Sequence, residues 1–504
     1  MKKKLSIILC MILLASAFTS CSEAIQDEPT ANDHGATQNQ AVSENASSDV
    51  EEAPEETAES FDPGLPARDF DGDTFTFVTK SQTAFTDWAE PSIWSDGYNG
   101  EVLNDAIYSR NLYISDTYNA NIEVYSPNTD SIVSDVQNAV TAGDTTYDVV
   151  MPALNHVGSL VRNGYLFDLK TDAVNMDLSK PWWDQRSIED LSIANKLYMV
   201  SGDISTLNND ATWCTMINLQ VLKDHGFDSP YTYVANDTWN FDTYKTLCEG
   251  ASIDLDGDGD FDSNDSIANL TQNENATAMF ITFGNHLIDK DENDLPTFTL
   301  EGNERAYDIM TKVSEFMNDK TVSLNYHNYA AEGYHLLTTK MFEENRGLFW
   351  ITNLQMVIRL REMETDFGIA PCPKYDESQE EYRNVVWFVG SYATIPTSAP
   401  SAADSSFILE AMAAKSRELL RPAYYEVALS MKYLRDRESI EMLDLVIDNR
   451  SYELEHAFSF GASAAVESIV LNGKDPASTL KSQSKVINKQ MENLINMLTE
   501  KDNP

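Results

Sequence analysis

Along this chain, short runs of alternating or continuous apolar residues keep giving way to longer stretches in which apolar side chains recur every three or four positions. Asp73 to Lys80 (DTFTFVTK) alternates polar and apolar residues and predicts a first strand. Leu103, Ala106, Ile107 and Arg110, then Leu112, Ile114 and Tyr118, follow helical spacing before Ile122 to Tyr125 returns to a strand pattern. Ile132, Val133, Val136 and Val140 predict the next helix, and Tyr147 to Met151 (YDVVM) a short buried strand ended by Pro152. Val157, Leu160 and Val161 start a further helix that stops at Gly164. Strands alternating with amphipathic helices imply an α/β unit with a largely parallel sheet. Ligands of such sheets gather beyond the carboxyl ends of the strands. The aromatic loop carrying Trp88, Glu90, Trp94, Asp96 and Tyr98, and the residues after Met151, are expected at such ends.

The alternation resumes near Asp203. Ala211 to Asn218 reads as a strand and Leu219 to His225 as a helix ended by Gly226. Trp239, Tyr244 and Leu247 mark another helix, entered through Asn240 or Thr238 as a cap. Leu348 to Ile351 predicts a strand, Leu354 to Arg361 a helix and Asp366 to Pro371 a strand. From about Ala67 nearly 440 residues remain, more than one hydrophobic core organises, so two domains are expected.

The first sixty residues break this pattern. Lys2, Lys3 and Lys4 precede an apolar stretch from Leu5 to Phe18, then the small residues Thr19 and Ser20, then Cys21. This has the three regions of a secretory signal, and its core is shorter than the roughly 20 residues a membrane span needs. A cysteine directly after small residues resembles the lipobox of bacterial lipoproteins, which implies cleavage after residue 20 and lipid on Cys21. Each buried methylene of that lipid would contribute about 0.8 kcal/mol to membrane anchoring. Residues 22 to 60 hold eleven Asp or Glu and no Lys or Arg, a composition that cannot bury enough apolar area to order itself. Residues 21 to 66 are therefore read as a tether, reaching roughly 35–40 Å as a coil. The expected location is the outer face of the cell membrane, and the body is expected to be monomeric.

The formal charge of −46 becomes −49 without the three signal lysines. Nucleic-acid binding needs a phosphate-neutralising basic face, so that class of partner is excluded. Removing Cys10 and Cys21 leaves Cys214, Cys248 and Cys372, an odd, dispersed trio that is neither a disulfide framework nor a zinc site. One disulfide and three free thiols both stay open.

Residues 254 to 265 (DLDGDGDFDSND) place Asp254, Asp256, Asp258, Asp260 and Asp265 at EF-hand ligand positions, with Gly259 at the turn. Acids packed this closely repel one another unless a cation intervenes. A structural Ca2+ is expected, weakened because Asp265 stands where a long bidentate Glu is usual. Enzyme signatures are missing: there is no GxSxG, HExxH, P-loop or GxGxxG. The seven histidines are dispersed, and the 81 acids make any single carboxylate pair uninformative.

Several segments resemble the clostridial branch of the family 1 extracellular solute-binding proteins, the receptor lipoproteins of sugar-importing ABC transporters. They are LNDAIYSRNLYI from Leu103, YDVVMPALN from Tyr147, NGYLFDL from Asn163, PWWDQ from Pro181 and KLYMVSGDIS from Lys196. TWNFDTYK from Thr238, the acidic loop, DFGIAPCPKYDESQ from Asp366, YYEVALSMKYLRD from Tyr424 and LDLVIDNRSYEL from Leu443 complete the set. The resemblance implies a two-lobed α/β fold of the type II periplasmic-binding-protein kind, each lobe a mixed sheet flanked by helices, with the hinge crossed more than once. On that basis lobe I is residues 67–202 plus 384–436, and lobe II is 203–383 plus 437–504. It further implies a non-enzymatic receptor that captures a sugar in an interlobe cleft and hands it to an ABC permease. Sugar receptors place aromatics beneath the rings and carboxylates or amides at the hydroxyls. Trp350 and Asn353 in GLFWITN, with Trp213, Trp94, Asp96, Trp183 and Trp387, are the candidate ligand-binding residues. A surface glycosidase, or a receptor coupled to a sensor, remain the alternatives.

Overall fold

The computed structural model describes residues 61–81, 88–127, 131–332, 336–430 and 437–500. The expected signal, Cys21 and residues 22–60 of the tether lie outside the described residues. The alternation at Asp73–Lys80 becomes β1 (Thr74–Thr79). It is the middle strand of a three-stranded parallel sheet, between β2 (Asn121–Tyr125) and β3 (Val149–Met151). The connections are α1 (Val102–Tyr118) and α2 (Ile132–Ala142), and α3 (Leu154–Asn163) follows β3. Gly164 ends α3 in the left-handed region at φ 72°, where a side chain would be strained.

The second sheet has five strands in the order β10-β4-β9-β5-β8. These are β4 (Trp213–Asn218), β5 (Asn269–Thr271), β8 (Ser323–Asn325), β9 (Phe349–Asn353) and β10 (Phe367–Ala370), while β6 (Asp289–Lys290) and β7 (Pro296–Thr297) form a separate hairpin. β4 runs antiparallel to β9 and β10, whereas β5 is parallel to β8 and β9, so this sheet is mixed. Every residue of β4 and β9 is buried, which explains their continuous apolar pattern. Asn240 caps the helix Phe241–Ala251, its side chain accepting from the Thr243 amide.

The chain passes between the two sheets repeatedly. Val200 bridges Ala393, Thr212 bridges Val386, Val150 bridges Thr394, and β11 (Asn384–Val385) pairs in parallel with β12 (Arg450–Ser451). The helix Ala402–Ser430 returns to pack along α1. Its Phe407, Met412 and neighbours join Phe70, Phe75, Phe77, Ile114 and Tyr118 in one core, while a larger core covers the five-stranded sheet. Phe61 and Leu65 pack against the first core and Arg68 pairs with Asp404. Residues 61–66, read as the end of the tether, thus lie along the body. Cys214, Cys248 and Cys372 are free, buried thiols.

Candidate ligand site at the strand ends

Both sheets point their strand ends at one crossing segment, Val386–Gly390. Lys80, just past β1, donates from Nζ to the backbone carbonyls of Val389 and Gly390, the latter at 3.0 Å. The Leu154 amide at the start of α3 donates to the Phe388 carbonyl at 2.8 Å. From the other side the Trp387 amide donates to the Ala211 carbonyl at 2.9 Å, and Trp213 at the start of β4 sits opposite Asn353 at the end of β9. Burial pulls the Lys80 ammonium down to about 7, opposed by the charge of Glu90.

An aromatic cluster fills this junction. Trp213 and Trp387 have ring centroids 5.2 Å apart at 45°, and Trp387 lies 5.2 Å from Phe388 and 4.8 Å from His456. Trp387 and Phe388 are half-buried. Burial holds the His456 imidazole down at about 4, neutral at pH 7. Among the described residues, the buried atoms Trp213 Nε1, Asn353 Oδ1, Gln272 Oε1 and Glu274 Oε2 have no hydrogen-bond partner. Buried polar atoms are normally satisfied, so such a group at strand ends has the donor and acceptor capacity to meet a polar ligand. Next to Glu274, Asn325 Nδ2 donates to Asn273 Oδ1 at 2.8 Å, and the Asn273 amide donates to His327 Nδ1 at 3.3 Å. Burial and the nearby Glu274 both push the Glu467 carboxyl up.

Of the seven residues expected to bind ligand, Trp213, Trp387 and Asn353 are brought together. Trp350 is not: it lies inside β9 with no exposed surface, against Phe342 at 6.2 Å. Trp350 sits mid-strand opposite Met216, whereas Asn353 ends β9 opposite Trp213 and so reaches the junction. Trp183 is also a core residue, because its Nε1 and that of Trp182 donate to the two oxygens of buried Glu410 at 2.8 and 3.0 Å. Trp94 and Asp96 lie in the loop before α1, where Trp94 stands beside the outer edge of β2. Lys80, Gln272, Glu274, Phe388 and His456 were not singled out from sequence. The polar run QNEN after β5 carried a readable signal, since it occupies a strand's carboxyl end.

In the acidic loop, Asp254, Asp256 and Asp265 each place a carboxylate oxygen within 4.8 Å of the others. Asp254 accepts from the Gly257 and Gly259 amides at 2.7 and 3.0 Å, and Gly259 takes φ 88° as the turn requires. Asp265 is buried and accepts from the Leu255 and Asp262 amides at 2.8 and 2.9 Å. Asp258 accepts from the Asp260 amide at 2.8 Å, and neither of these two joins the carboxylate cluster. The Asp258 amide lowers the Asp256 pKa, but burial and the charges of Asp258, Asp265 and Asp254 leave it raised. Like charges held this close favour a cation or a proton.

No family model matches the chain, and no curated protein does. Solved structures do match. The ABC substrate-binding protein Lmo0181 from Listeria monocytogenes, in complex with cycloalternan, superposes with a TM-score of 0.55 at 11% identity over 84% of this chain and 100% of that one. A cyclo/maltodextrin-binding protein complexed with maltotetraose gives 0.54 at 11% identity, over 83% and 97% of the two chains. The cyclic alpha-maltosyl-1,6-maltose binding protein from Arthrobacter globiformis gives 0.54 at 13%, over 84% and 99%. The chain has the mixed α/β, two-lobed fold of the periplasmic solute-binding proteins.

Proposed function

We propose that this chain is an extracytoplasmic solute-binding lipoprotein that captures a sugar or oligosaccharide where its strand ends meet, and delivers it to an ABC permease. The observation that carries this reading is the junction itself: Trp387 and Phe388 are half-buried, and Trp213 packs on Trp387 and pairs across the sheet with Asn353. Among the described residues Trp213 Nε1 and Asn353 Oδ1 have no hydrogen-bond partner, and neither do Gln272 Oε1 and Glu274 Oε2 past the carboxyl end of β5. Aromatic faces next to mixed donors and acceptors suit a ligand with apolar ring faces and a polar rim. The proteins of like fold named above were solved with maltotetraose or cycloalternan, or carry a sugar in their name. Transport chemistry lies with the partner on this reading, and this chain contributes binding and domain closure. Lipid on Cys21 would hold it to the outer face of the membrane.

Titration calorimetry against a panel of mono- and oligosaccharides tests the proposal. Saturable heat with at least one sugar, recovered unchanged afterwards, is the expected result. No heat with any member would sink it, and release of hydrolysis products would favour a glycosidase.

The acidic loop is proposed to hold one structural Ca2+ through Asp254, Asp256 and Asp265, the donors that the loop brings together. Bound ion would stabilise the folded chain by mass action, about 2.7 kcal/mol at a hundredfold excess over Kd. Thermal unfolding with Ca2+ against chelator, in the natural chain and in Asp254→Asn, measures this directly. Equal curves in all four conditions would remove the ion from the account.

A further inference from the structure

We propose a second carbohydrate site on the outer surface of the first lobe, a groove that takes a neutral oligosaccharide independently of the strand-end junction. The groove has a volume of about 610 Å³ and runs between α1 and the outer edge of β2. That is the size range of small-molecule sites. Trp94 and Tyr108 supply its aromatic surface, and Ser115, Asn121 and Glu123 supply hydroxyl, amide and carboxylate groups, although Asn121 Nδ2 already donates to the Gly72 carbonyl at 2.9 Å and leaves its Oδ1 as acceptor. Trp94 is 49% exposed, and Tyr98 on the same loop is 60% exposed.

An exposed indole alone decides nothing, since scattered surface apolar residues are normal. Here the loop that carries it is clamped. Ser95 Oγ donates to Asn104 Oδ1 at 2.7 Å, Asn104 Nδ2 donates to the Gly97 carbonyl at 2.7 Å, and Asp105 Oδ1 accepts from the Asn99 amide at 2.9 Å. Tyr98 shares a hydrogen bond with Ser109 at 3.2 Å and stands edge-on to Tyr108 at 4.6 Å. Just upstream, the Ile93 carbonyl accepts from buried Arg110 Nη2 at 2.6 Å and from Asn111 Nδ2 at 2.9 Å. Clamping the loop that carries an exposed indole lowers the backbone-ordering cost that a ligand would otherwise meet.

The chemistry of the walls selects the occupant. Among the described residues that line the groove none is Lys or Arg, and Glu123 adds negative charge to a chain already at −46. Anionic glycans are repelled, whereas a neutral sugar can stack a ring face on Trp94 and meet the amides and hydroxyls. The edge strand β2 could instead pair with an extended peptide, and the test separates the two.

The chain contains eight tryptophans, so 5-fluorotryptophan labelling gives resolvable 19F resonances, with that of Trp94 assigned through Trp94→Phe. Maltohexaose, cellohexaose and xylohexaose are titrated to millimolar concentration, with an alternating Lys-Val peptide as the competing probe. The expected result is a saturable shift of the Trp94 resonance with at least one hexasaccharide, with that affinity weakened about ten-fold by Tyr108→Ala, which removes the neighbouring ring and keeps the reporter. The Trp213 and Trp387 resonances report the strand-end junction separately, so either site can fail alone. A Trp94 resonance unmoved by every sugar, or moved only by the peptide, overturns the proposal.

Discussion

Glu410 offers a direct test of how the first core is held. Glu410 is 1% exposed, and its carboxylate oxygens accept from Trp182 and Trp183. Burial pushes its pKa from 4.5 up to about 7, although the two indole N–H bonds pull the other way. An acid whose folded pKa lies above its unfolded value binds more protons when folded. Its contribution is therefore full below pH 4.5 and is lost as the pH rises through 7. A shift of about 2.5 units at 1.36 kcal/mol each makes this loss about 3 kcal/mol. Glu410→Gln keeps the shape and removes the titration. Its amide oxygen still accepts one indole, but its NH2 faces the other N–H, a mismatch of about 1–3 kcal/mol at every pH. Urea unfolding of both proteins, followed by tryptophan fluorescence from pH 5 to 8, isolates the effect. The stability of Glu410→Gln relative to the natural chain should climb by about 2–3 kcal/mol across that range, part of the total already lost below pH 5. A constant difference would refute the assignment of a buried, titrating Glu410.

Trp350→Ala should cost about 3–5 kcal/mol of stability in urea unfolding while sugar affinity of the folded protein is retained, since the ring is wholly covered; lost affinity with unchanged stability would return Trp350 to the site. Gly158→Ala should lower the melting temperature, because a Cβ there would lie 1.9 Å from the Ala457 carbonyl oxygen. That overpacking costs about 1–3 kcal/mol or more, against a helix-propensity gain of at most ~1 kcal/mol. Arg450→Met should destabilise by about 3–5 kcal/mol in calorimetry, because it leaves buried Asp184, now 2.8 Å from the guanidinium, without its cation.

The order β1-α1-β2-α2-β3-α3 was legible because the helices and β2 repeat with a buried side, β3 is a short apolar run stopped by Pro152, and Gly164 and Asn240 mark ends by local chemistry. The helix Ala402–Ser430 was not. Its middle is rich in Ala and buried, and Pro422 lies within it, so no single apolar stripe stands out. The candidate site was half legible for a similar reason. Sequence supplies the residue types, but which tryptophan reaches a strand end depends on register, and Trp350 falls three residues short of Asn353. Trp183 depends on a partner 227 positions away, which no local pattern reveals.

The crossing segments place the site, and buried polar contacts place the crossing segments. Arg450 in β12 reaches Asp184 Oδ2 and Asn209 Oδ1, each at 2.8 Å, and the Tyr452 hydroxyl donates to the same Asp184 oxygen at 2.7 Å. The Tyr452 amide donates to Asp190 at 2.9 Å, and Glu453 meets His286 Nδ1 at 2.9 Å. Buried ion pairs add little net stability, because desolvation offsets much of the attraction, but breaking one is costly and they exclude other registers. Three residues beyond Glu453, His456 packs against Trp387. A one-residue slip in this segment would carry His456 off the Trp387 ring and leave Asp184 unpaired. The aromatics of the proposed site are thus held in place by the fold, and if they bind ligand, binding is spared the entropy of fixing them. Mutations at Asp184 or Arg450, distant in sequence from Trp387, should therefore weaken ligand affinity through the geometry of that ring.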